Sequence, residues 1–384
     1  WRSGRPTPGA RNSVYNTQAP PQSRRVTHTP KQPTPGEPVV ISALVTDPEG
    51  VASVSFSYQI VRPGRYFCRY LKFSNNGSPS YDSRFESPSS WISVQMSDDG
   101  LGDDVIAGDG LFTGTVPAVQ QRDRYLVRYR ITVSDAAGNS IRVPYQDDPQ
   151  PNFAYFVYDG TPDWTGRIRP GDTPVTFPGE LMSSIPTYFL LSTSSWVNDS
   201  QFGGYGGSEY LWPGTLIYDG EVYDHIQYRP RGGVHRFQYG KNFWKFDFNR
   251  GHRFQAKDEY GNNYDTEWSK LNFSSIVQQV NFGHRGEQGL FEGVGFRLFE
   301  LCGVEASKTH HVQFYVIDDA RPTGATQYDT DYYGLFLAIE QMDGQFLEEH
   351  KLPDGNLYKI EGYSGKSNNQ GPTQVTNRSD VSSF

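Results

Sequence analysis

The segment Tyr223–Phe248 holds the residues whose types and spacing are best suited to chemistry. Its alternating apolar and polar residues predict a strand, a turn built on Gly232 and Gly233, and a second strand that begins at Lys241. A glycine turn exposes backbone N–H groups to a bound anion, and the two arginines beside it, Arg229 and Arg231, add paired N–H donors. The segment therefore predicts an anion clamp. The alternative is an ordinary surface hairpin with solvated charges.

Composition limits both the fold and the function. The 384 residues are enough for two or three domains with cores of their own. The 25 Tyr and 24 Phe, together with 40 Gly and 26 Pro, predict a β-rich structure with many turns. The formal charge of −8 argues against non-specific nucleic-acid binding as the main role. The sequence contains no apolar run long enough to predict a membrane span. Cys68 and Cys302 lack the spacing of a zinc site or a disulfide framework.

The chain divides into four predicted regions. Residues 1–36 are rich in Pro and basic residues, which predicts an arm or linker. Residues 37–160 contain short alternating segments between turn sequences such as DPEG and DAAGN, which predicts an all-β sandwich. Residues 161–181 are predicted to be a linker, and residues 182–384 to be a second folded domain. The predicted sandwich strands are Val39–Thr46, Val51–Val61, Trp91–Met96, Leu111–Val116, Tyr125–Val133, Ile141–Tyr145 and Phe153–Tyr158.

Acidic residues cluster in the turns of the predicted sandwich. The turn series Asp98, Asp99, Asp103, Asp104 and Asp109 could supply oxygen ligands to Ca²⁺, with Asp98, Asp103 and Asp109 as the named candidates. Their spacing lacks the terminal bidentate glutamate of a known calcium loop, so Asp serving left-handed turn positions is the other interpretation. The sandwich shows no catalytic constellation and is predicted to be a spacer or an adhesive module.

The second domain combines strands with one long helix. The Asp219–Gly220 pair predicts a two-residue turn between strands that lead into the arginine–glycine turn. Residues 287–301 repeat apolar side chains at helix spacing, and Gly303 lies where a helix end is expected. The other predicted elements are strands at residues 243–248, 268–273, 311–317 and 333–340 and a short helix at residues 343–350.

The order of these parts is that of the small lobe of a protein kinase. The sequence resembles the CotH kinase family, named for a spore-coat protein, over roughly residues 218–384. The resemblance rests on RPRGG at 229–233, WKFDF after Lys241, GVGFRLFELCGVEA at 293–306 and GLFLAIEQMDGQFLEEH at 334–350. The predicted sandwich resembles the Ig-like domain that precedes such kinases in large secreted bacterial proteins. The implied fold class is multidomain: an all-β Ig-like sandwich followed by an α+β protein-kinase-like small lobe.

The resemblance implies ATP and Mg²⁺ as cofactors. A strand lysine would hold the ATP phosphates and pair with a glutamate of the helix, while the glycine turn would approach the phosphates. The segment that follows the last apolar strand would meet the adenine. Lys245 is a second candidate for the lysine. The positions that match the site are Lys241, Glu292, Arg231, Gly232, Gly233 and Glu340.

The catalytic and metal-binding aspartates of the family lie in its large lobe, and no Asp-x-x-x-x-Asn segment follows residue 350. The sequence therefore predicts no catalytic residue in this chain and no phosphate transfer by the chain alone. One predicted function is the front part of a secreted CotH-like kinase that phosphorylates Ser or Thr in extracellular or surface proteins. The other is a non-catalytic, self-assembling subunit of an extracellular surface assembly. Neither involves nucleic acid or a membrane span.

Overall fold

The computed structural model describes residues 9, 19–71, 80–167, 171–201, 210–232, 241–276, 288–319, 321, 330–361 and 364–383. They form two compact units, one from residues 1–61 and 87–159 and the other from residues 62–86 and 160–384. The strands of the first unit are β1 (Gln22–Thr29), β2 (Val39–Thr46), β3 (Val51–Val61), β4 (Ile92–Gln95), β5 (Leu111–Val116), β6 (Leu126–Asp135), β7 (Ser140–Val143) and β8 (Phe153–Phe156).

The first unit is built from two antiparallel sheets, one with the order β1-β2-β5 and one with the order β4-β3-β6-β7, where β8 also pairs with β6. Period-two alternation buries one face of each sheet, and Ile41 of β2, Phe56 of β3 and Ile131 of β6 meet in one core. The strands predicted between residues 39 and 158 are confirmed, with small differences at their ends. The likeness to an Ig domain stays a prediction.

The prediction of an arm over residues 1–36 is wrong for residues 22–29. These residues form β1, which pairs with β2 through the backbone at the edge of its sheet. Most side chains of β1 are exposed or half-buried. An edge strand of this kind is held by main-chain hydrogen bonds, so its sequence QSRRVTHT lacks the apolar alternation that would have indicated a strand.

The second unit contains the longer helices and most of the strands. Its helices are α1 (Ser83–Glu86), α2 (Gly179–Met182), α3 (Ser194–Gln201), α4 (Gln288–Leu301) and α5 (Gly344–Glu349). Its strands are β9 (Trp164–Gly166), β10 (Val175–Phe177), β11 (Thr187–Leu191), β12 (Trp212–Tyr218), β13 (Glu221–Arg231), β14 (Phe243–Asp247), β15 (Lys270–Ser274), β16 (Thr309–Ile317), β17 (Tyr332–Glu340), β18 (Leu357–Glu361) and β19 (Ser364–Asn369). No helix among the described residues has the length and apolar character needed to cross a membrane.

Seven strands of the second unit form a closed sheet in the order β11-β12-β13-β14-β15-β17-β16. Neighbouring strands are antiparallel except β16 and β11, whose parallel pairing closes the sheet. Aromatic side chains fill the interior, where the ring of Phe314 contacts those of Trp244, Phe246 and Phe273 at centroid distances of 5.2, 6.0 and 5.1 Å. The unit is thus mainly β, and the kinase-like α+β lobe stays a prediction.

Residues 62–86 depart from the predicted domain bounds, because they belong to the second unit and not to the sandwich. The Tyr66 hydroxyl lies 3.0 Å from Oγ1 of Thr215, and the Arg69 backbone N–H donates to Nδ1 of His225. The Phe85 ring packs edge-on against His225. These contacts join residues that are far apart in the chain, so no local pattern could predict them. The predicted linker at residues 161–181 also contains regular structure, namely β9, β10 and part of α2.

Helix α5 begins with a side-chain cap. The Asp343 carboxylate accepts a hydrogen bond from the backbone N–H of Gln345 at 3.0 Å. Asp343→Ala is therefore expected to lower the free energy of unfolding by about 1 kcal/mol, the usual value of such a cap. Urea denaturation measures this change. Glu348→Ala, an exposed site on the same helix, is the control and should change stability by less than about 0.5 kcal/mol.

Candidate functional site

A row of outward-facing side chains crosses four neighbouring strands of the closed sheet. In β14 the side chain of Trp244 lies in the core, so the next residue, Lys245, points outward. Lys245 is paired with Arg229 of β13 on one side and with Asn272 of β15 on the other. Asn272 is in turn paired with Ile339 of β17. The register of the sheet thus places the side chains of Arg229, Lys245, Asn272 and Ile339 in one row.

Helix α4 lies against the same face of the sheet. The Ser274 hydroxyl of β15 donates to Oε2 of Glu292 on the helix at 2.5 Å. A Cβ atom at Gly293 would lie 3.4 Å from Cδ1 of Leu337 in β17, so the glycine permits a close approach of helix and strand. These contacts hold the Glu292 carboxylate at the edge of the row.

A cleft of ≈ 780 Å³ lies between the row, helix α4 and the segment that follows β17. This volume is within the range of sites that hold small molecules and cofactors. Its lining includes basic residues, namely Arg229, Arg231, Lys245 and Lys359, and apolar residues, namely Phe296, Ile339, Met342 and Leu357, together with the carboxylates Glu292 and Glu340 and several neutral polar residues. The cleft can therefore hold a ligand that has both an anionic and an apolar part.

Two of the cleft cations are half-buried and form no salt bridge with a described residue. Neither Arg231 nor Lys245 forms a salt bridge with any residue that the structure describes. Burial lowers the pKa of Lys245 to about 8, with Asp247 opposing this change and Arg229 adding to it. Burial also lowers the pKa of Arg231, and the Glu292 carboxylate opposes that change. Both cations would gain from a bound anion, which would offset the cost of burying their charge.

Four of the six residues predicted for the site line this one cleft: Arg231, Gly232, Glu292 and Glu340. Lys245, the second candidate for the phosphate-binding lysine, also lines it, and Lys241 does not. Lys241 precedes β14, its ammonium donates to the Leu335 carbonyl, and its Nζ lies 4.2 Å from the centroid of the Phe336 ring. Burial lowers the pKa of Lys241 to about 7. The sixth residue, Gly233, lies outside the described residues, and the role of each of the six stays a prediction.

A buried charge network lies next to the cleft at the end of β17. Nε2 of His350 is 3.0 Å from Oε2 of Glu340, and Nδ1 of His350 is 2.6 Å from Oε2 of Glu305. The backbone N–H of Lys308 also donates to Oε2 of Glu340. Burial raises the pKa of Glu340, while its hydrogen bond from His350 opposes that rise. Although burial acts in the opposite direction, hydrogen bonding to Glu340 raises the pKa of His350.

The acidic turns of the first unit bring three of the five predicted aspartates together, with Asp104 in the place of the candidate Asp103. Oxygens of Asp98, Asp104 and Asp109 lie within 4.8 Å of one another. Asp103 instead accepts a hydrogen bond from the Thr115 hydroxyl at 2.5 Å. Asp98 accepts hydrogen bonds from three backbone N–H groups of the same loop, which is a turn role. Calcium binding by this loop stays a prediction.

Sequence reasoning missed two kinds of cleft residue. Asn272 is neutral and lies in a short strand, so neither its type nor its spacing indicated a site. Tyr358 and Lys359 are in β18, beyond the last element for which a role was assigned. Arg229 was predicted as one of the two arginines of the anion clamp, and the structure places it in the cleft, paired with Lys245 across two strands.

Comparison with known proteins agrees with the motif-based resemblance. Residues 229–382 match the family model described as CotH kinase protein, and this segment contains every residue named above as lining the cleft. No curated protein matches the chain. Among solved structures, the chain is similar to Spo0M, a sporulation control protein from Bacillus subtilis, at 7% identity, covering 66% of this chain and 74% of that chain. The TM-score of 0.21 is too low to support an inference about fold or function.

Proposed function

We propose that the second unit is the ATP-binding lobe of a secreted, CotH-like protein kinase that phosphorylates Ser or Thr in extracellular or surface proteins. The observation that carries this proposal is the group of cations at one end of the cleft, of which Arg231 and Lys245 form no salt bridge with a described residue. A nucleotide triphosphate supplies the negative charge that this arrangement lacks. The match of residues 229–382 to the CotH kinase model supports the same function.

The other end of the cleft fits a nucleobase. Phe296 of α4, Ile339 of β17 and Met342 after β17 supply apolar surface for a flat ring. Polar groups for its edge come from Gln341 and Asn272, which line the cleft beside Ile339. Apolar walls with a small number of polar groups are the usual composition of a cofactor site.

The described residues of the cleft do not fit a Mg²⁺ ion as well as they fit the nucleotide. The carboxylates that line it are Glu292 and Glu340. Glu292 accepts from Ser274, and Glu340 accepts from His350 and from the Lys308 backbone. Magnesium prefers carboxylates that are free to complete an octahedron together with phosphate oxygens and water. We therefore assign no Mg²⁺ ligand among these residues.

Isothermal titration calorimetry of the full chain with ATP tests the proposal. The expected result is saturable binding of one ATP per chain. Inorganic triphosphate should compete with ATP, because the phosphates make the ionic contacts. The absence of ATP binding at millimolar nucleotide, with the protein shown to be folded by circular dichroism, would rule the proposal out.

The affinity for ATP is expected to fall as pH rises from 7 to 9. Burial lowers the pKa of Lys245 to about 8, so its attractive ammonium form predominates below pH 8 and is lost above it. At pH 9 about one tenth of this side chain would be charged in the free protein, so the affinity should be up to about tenfold weaker. Lys245→Arg should bind ATP with little dependence on pH, because a guanidinium stays charged. Calorimetry at pH 7, 8 and 9 measures both trends.

A structural subunit of an extracellular assembly is the second candidate function. It is favoured by the exposed apolar side chains of α4, which are Leu290, Phe291, Val294, Leu298, Phe299 and Leu301. A contiguous apolar face of this kind marks an interaction surface. Analytical ultracentrifugation distinguishes this candidate, since a chain that stays monomeric at high concentration would exclude self-assembly. Both candidates place the protein outside the cell or at its surface.

A further inference from the structure

The strands β18 and β19 form a wall of the cleft that lies outside the closed sheet. They make up a two-stranded sheet, and neither is paired with another strand in the part of the chain that the structure describes. Leu357 and Lys359 of β18 and Asn368 of β19 line the cleft. A sheet of this size is marginally stable by itself, so side-chain contacts must fix its position beside the cleft.

The Tyr358 hydroxyl anchors β18. It donates to Oδ1 of Asp380 at 2.8 Å, and Nδ2 of Asn356 donates to Oδ2 of the same carboxylate at 3.0 Å. The hydrogen bonds from Asn356 and Tyr358 lower the pKa of Asp380, so it accepts both bonds as a carboxylate at neutral pH. Successive side chains of a strand point to opposite faces. Tyr358 therefore holds the strand from one face, while the next side chain, Lys359, extends from the other.

Contacts of β19 fix the second strand. Nδ2 of Asn369 donates to Oδ1 of Asp354 at 3.0 Å and to the carbonyl of Gly355 at 2.9 Å. A Cβ atom at Gly344 would lie 3.0 Å from Oδ1 of Asn369, so the glycine lets β19 approach the first residue of α5 closely. Helix α5 begins soon after Met342, which lines the cleft. Both strands are thus fixed relative to the cleft.

Lys359 differs from the other cations that line the cleft in the described residues, because it comes from outside the closed sheet. Arg229, Arg231 and Lys245 belong to β13 and β14, whereas Lys359 belongs to β18. Its side chain is exposed, so its charge carries little burial cost before a ligand binds. Cations on two separate elements can contact one phosphate chain from different directions, and each charge-assisted hydrogen bond adds to its binding.

We propose that Lys359 is a further binding residue, which contacts the phosphates of the nucleotide from the wall formed by β18 and β19, and that Tyr358 and Asp380 are positioning residues that hold its strand there. The inference rests on the proposed nucleotide function and adds a second element to phosphate binding. It assigns a role to the hydrogen bond between Tyr358 and Asp380, which joins residues 22 positions apart in the chain.

Calorimetry of the full chain with ATP and with inorganic triphosphate tests the role of Lys359. Lys359→Met is expected to weaken the binding of ATP by about tenfold, the usual size of one hydrogen bond to a charged group. The affinity for inorganic triphosphate should fall by a similar factor, because the contact is to phosphate. Lys359→Arg keeps the charge and should bind ATP within about threefold of the wild type. The control is Lys351→Met, at a side chain that is 81% exposed and does not line the cleft, and it should leave the affinity unchanged.

A double-variant cycle tests the positioning role. Tyr358→Phe removes only the hydroxyl that donates to Asp380, and it should weaken ATP binding by about threefold when Lys359 is present. In the Lys359→Met background the same change should have no further effect, because the residue that it positions is absent. A merely structural role of Tyr358 would weaken binding equally in both backgrounds, and that result would overturn the positioning role.

The levels of the proposal fail in different ways. If the wild-type chain binds neither ATP nor triphosphate, the proposed function itself is wrong. If the wild type binds ATP and a folded Lys359→Met variant binds it equally well, the role of Lys359 is wrong and the nucleotide site stands. Weaker binding of ATP with unchanged binding of triphosphate would also overturn the phosphate contact. Lys359→Gln gives the same measurement if circular dichroism shows that Lys359→Met is not folded.

Discussion

Replacing Lys245 by methionine is expected to weaken ATP binding by at least about 30-fold, whereas Lys241→Met should change it by less than about threefold. Removing one partner of a desolvated charge pair costs about 2 kcal/mol or more in binding. Lys245 lines the cleft beside Arg229, whereas the Lys241 ammonium donates to the Leu335 carbonyl away from it. Methionine has nearly the length of lysine, so both variants retain the apolar part of the side chain.

The two lysine variants control for each other. Both side chains are half-buried and lie four residues apart around the start of β14. A general loss of fold would therefore weaken binding in both, and circular dichroism would reveal it. Calorimetric titration with ATP gives the affinities. Equal loss in two folded variants, or a larger loss for Lys241→Met, would contradict the position assigned to the phosphates.

Replacing His350 by leucine is expected to lower the free energy of unfolding by about 3–5 kcal/mol at neutral pH. The His350 side chain is 1% exposed and bonds to the buried carboxylate of Glu340. Removing the cation leaves this carboxylate buried without its charged partner, and breaking a buried pair from one side has a cost of this size. Urea denaturation monitored by tryptophan fluorescence measures the loss.

A double variant separates the buried charge from the lost packing. Glu340→Gln with His350→Leu removes both charges, so it should be clearly more stable than His350→Leu alone. If the double variant loses the sum of the two single effects, the pair is not coupled and the interpretation of the network is wrong. Glu348→Ala, an exposed site on helix α5, which ends just before His350, again serves as the neutral control.

The same pair gives the pH dependence of stability a definite sign. Hydrogen bonding to Glu340 raises the pKa of His350 in the folded chain above its ordinary value of 6.5, although burial opposes this rise. The folded state therefore binds the proton more tightly than the unfolded state does. This contribution to stability is complete below pH 6.5 and is lost as pH rises through the higher pKa of the folded chain. Unfolding free energies measured across that window should fall in the wild type and stay flatter in the double variant.

The sequence predicted local structure best where side chains alternate or repeat. The predicted strands Val39–Thr46, Val51–Val61 and Leu111–Val116 match β2, β3 and β5. Helix α4 was found from its apolar spacing and ends before Gly303, which has φ +78°. The Asp219–Gly220 turn was found because both residues tolerate positive φ.

Relations between distant segments could not be predicted in the same way. Nothing local indicates that β16 closes the sheet by pairing with β11, or that residues 62–86 pack with the second unit. The site shows the same limit. The sequence alone does not show whether Lys241 or Lys245 lines the cleft. The structure decides it, because β14 starts at Phe243 and so contains Lys245 but not Lys241. Asn272 carries no sequence signal, because only the pairing of β15 with β14 and β17 places it in the cleft.

The most direct test of the central claim is to identify the lysine that lies beside the phosphates of bound ATP. An acyl phosphate derivative of ATP reacts with such a lysine: the amine attacks the acyl carbonyl, an amide forms, and the nucleotide leaves with its phosphate. Mass spectrometry of the labelled full chain then locates the acyl group. We predict labelling of Lys245 that excess ATP prevents. Labelling of Lys241 in its place, or labelling that ATP does not prevent, would contradict the nucleotide site described above.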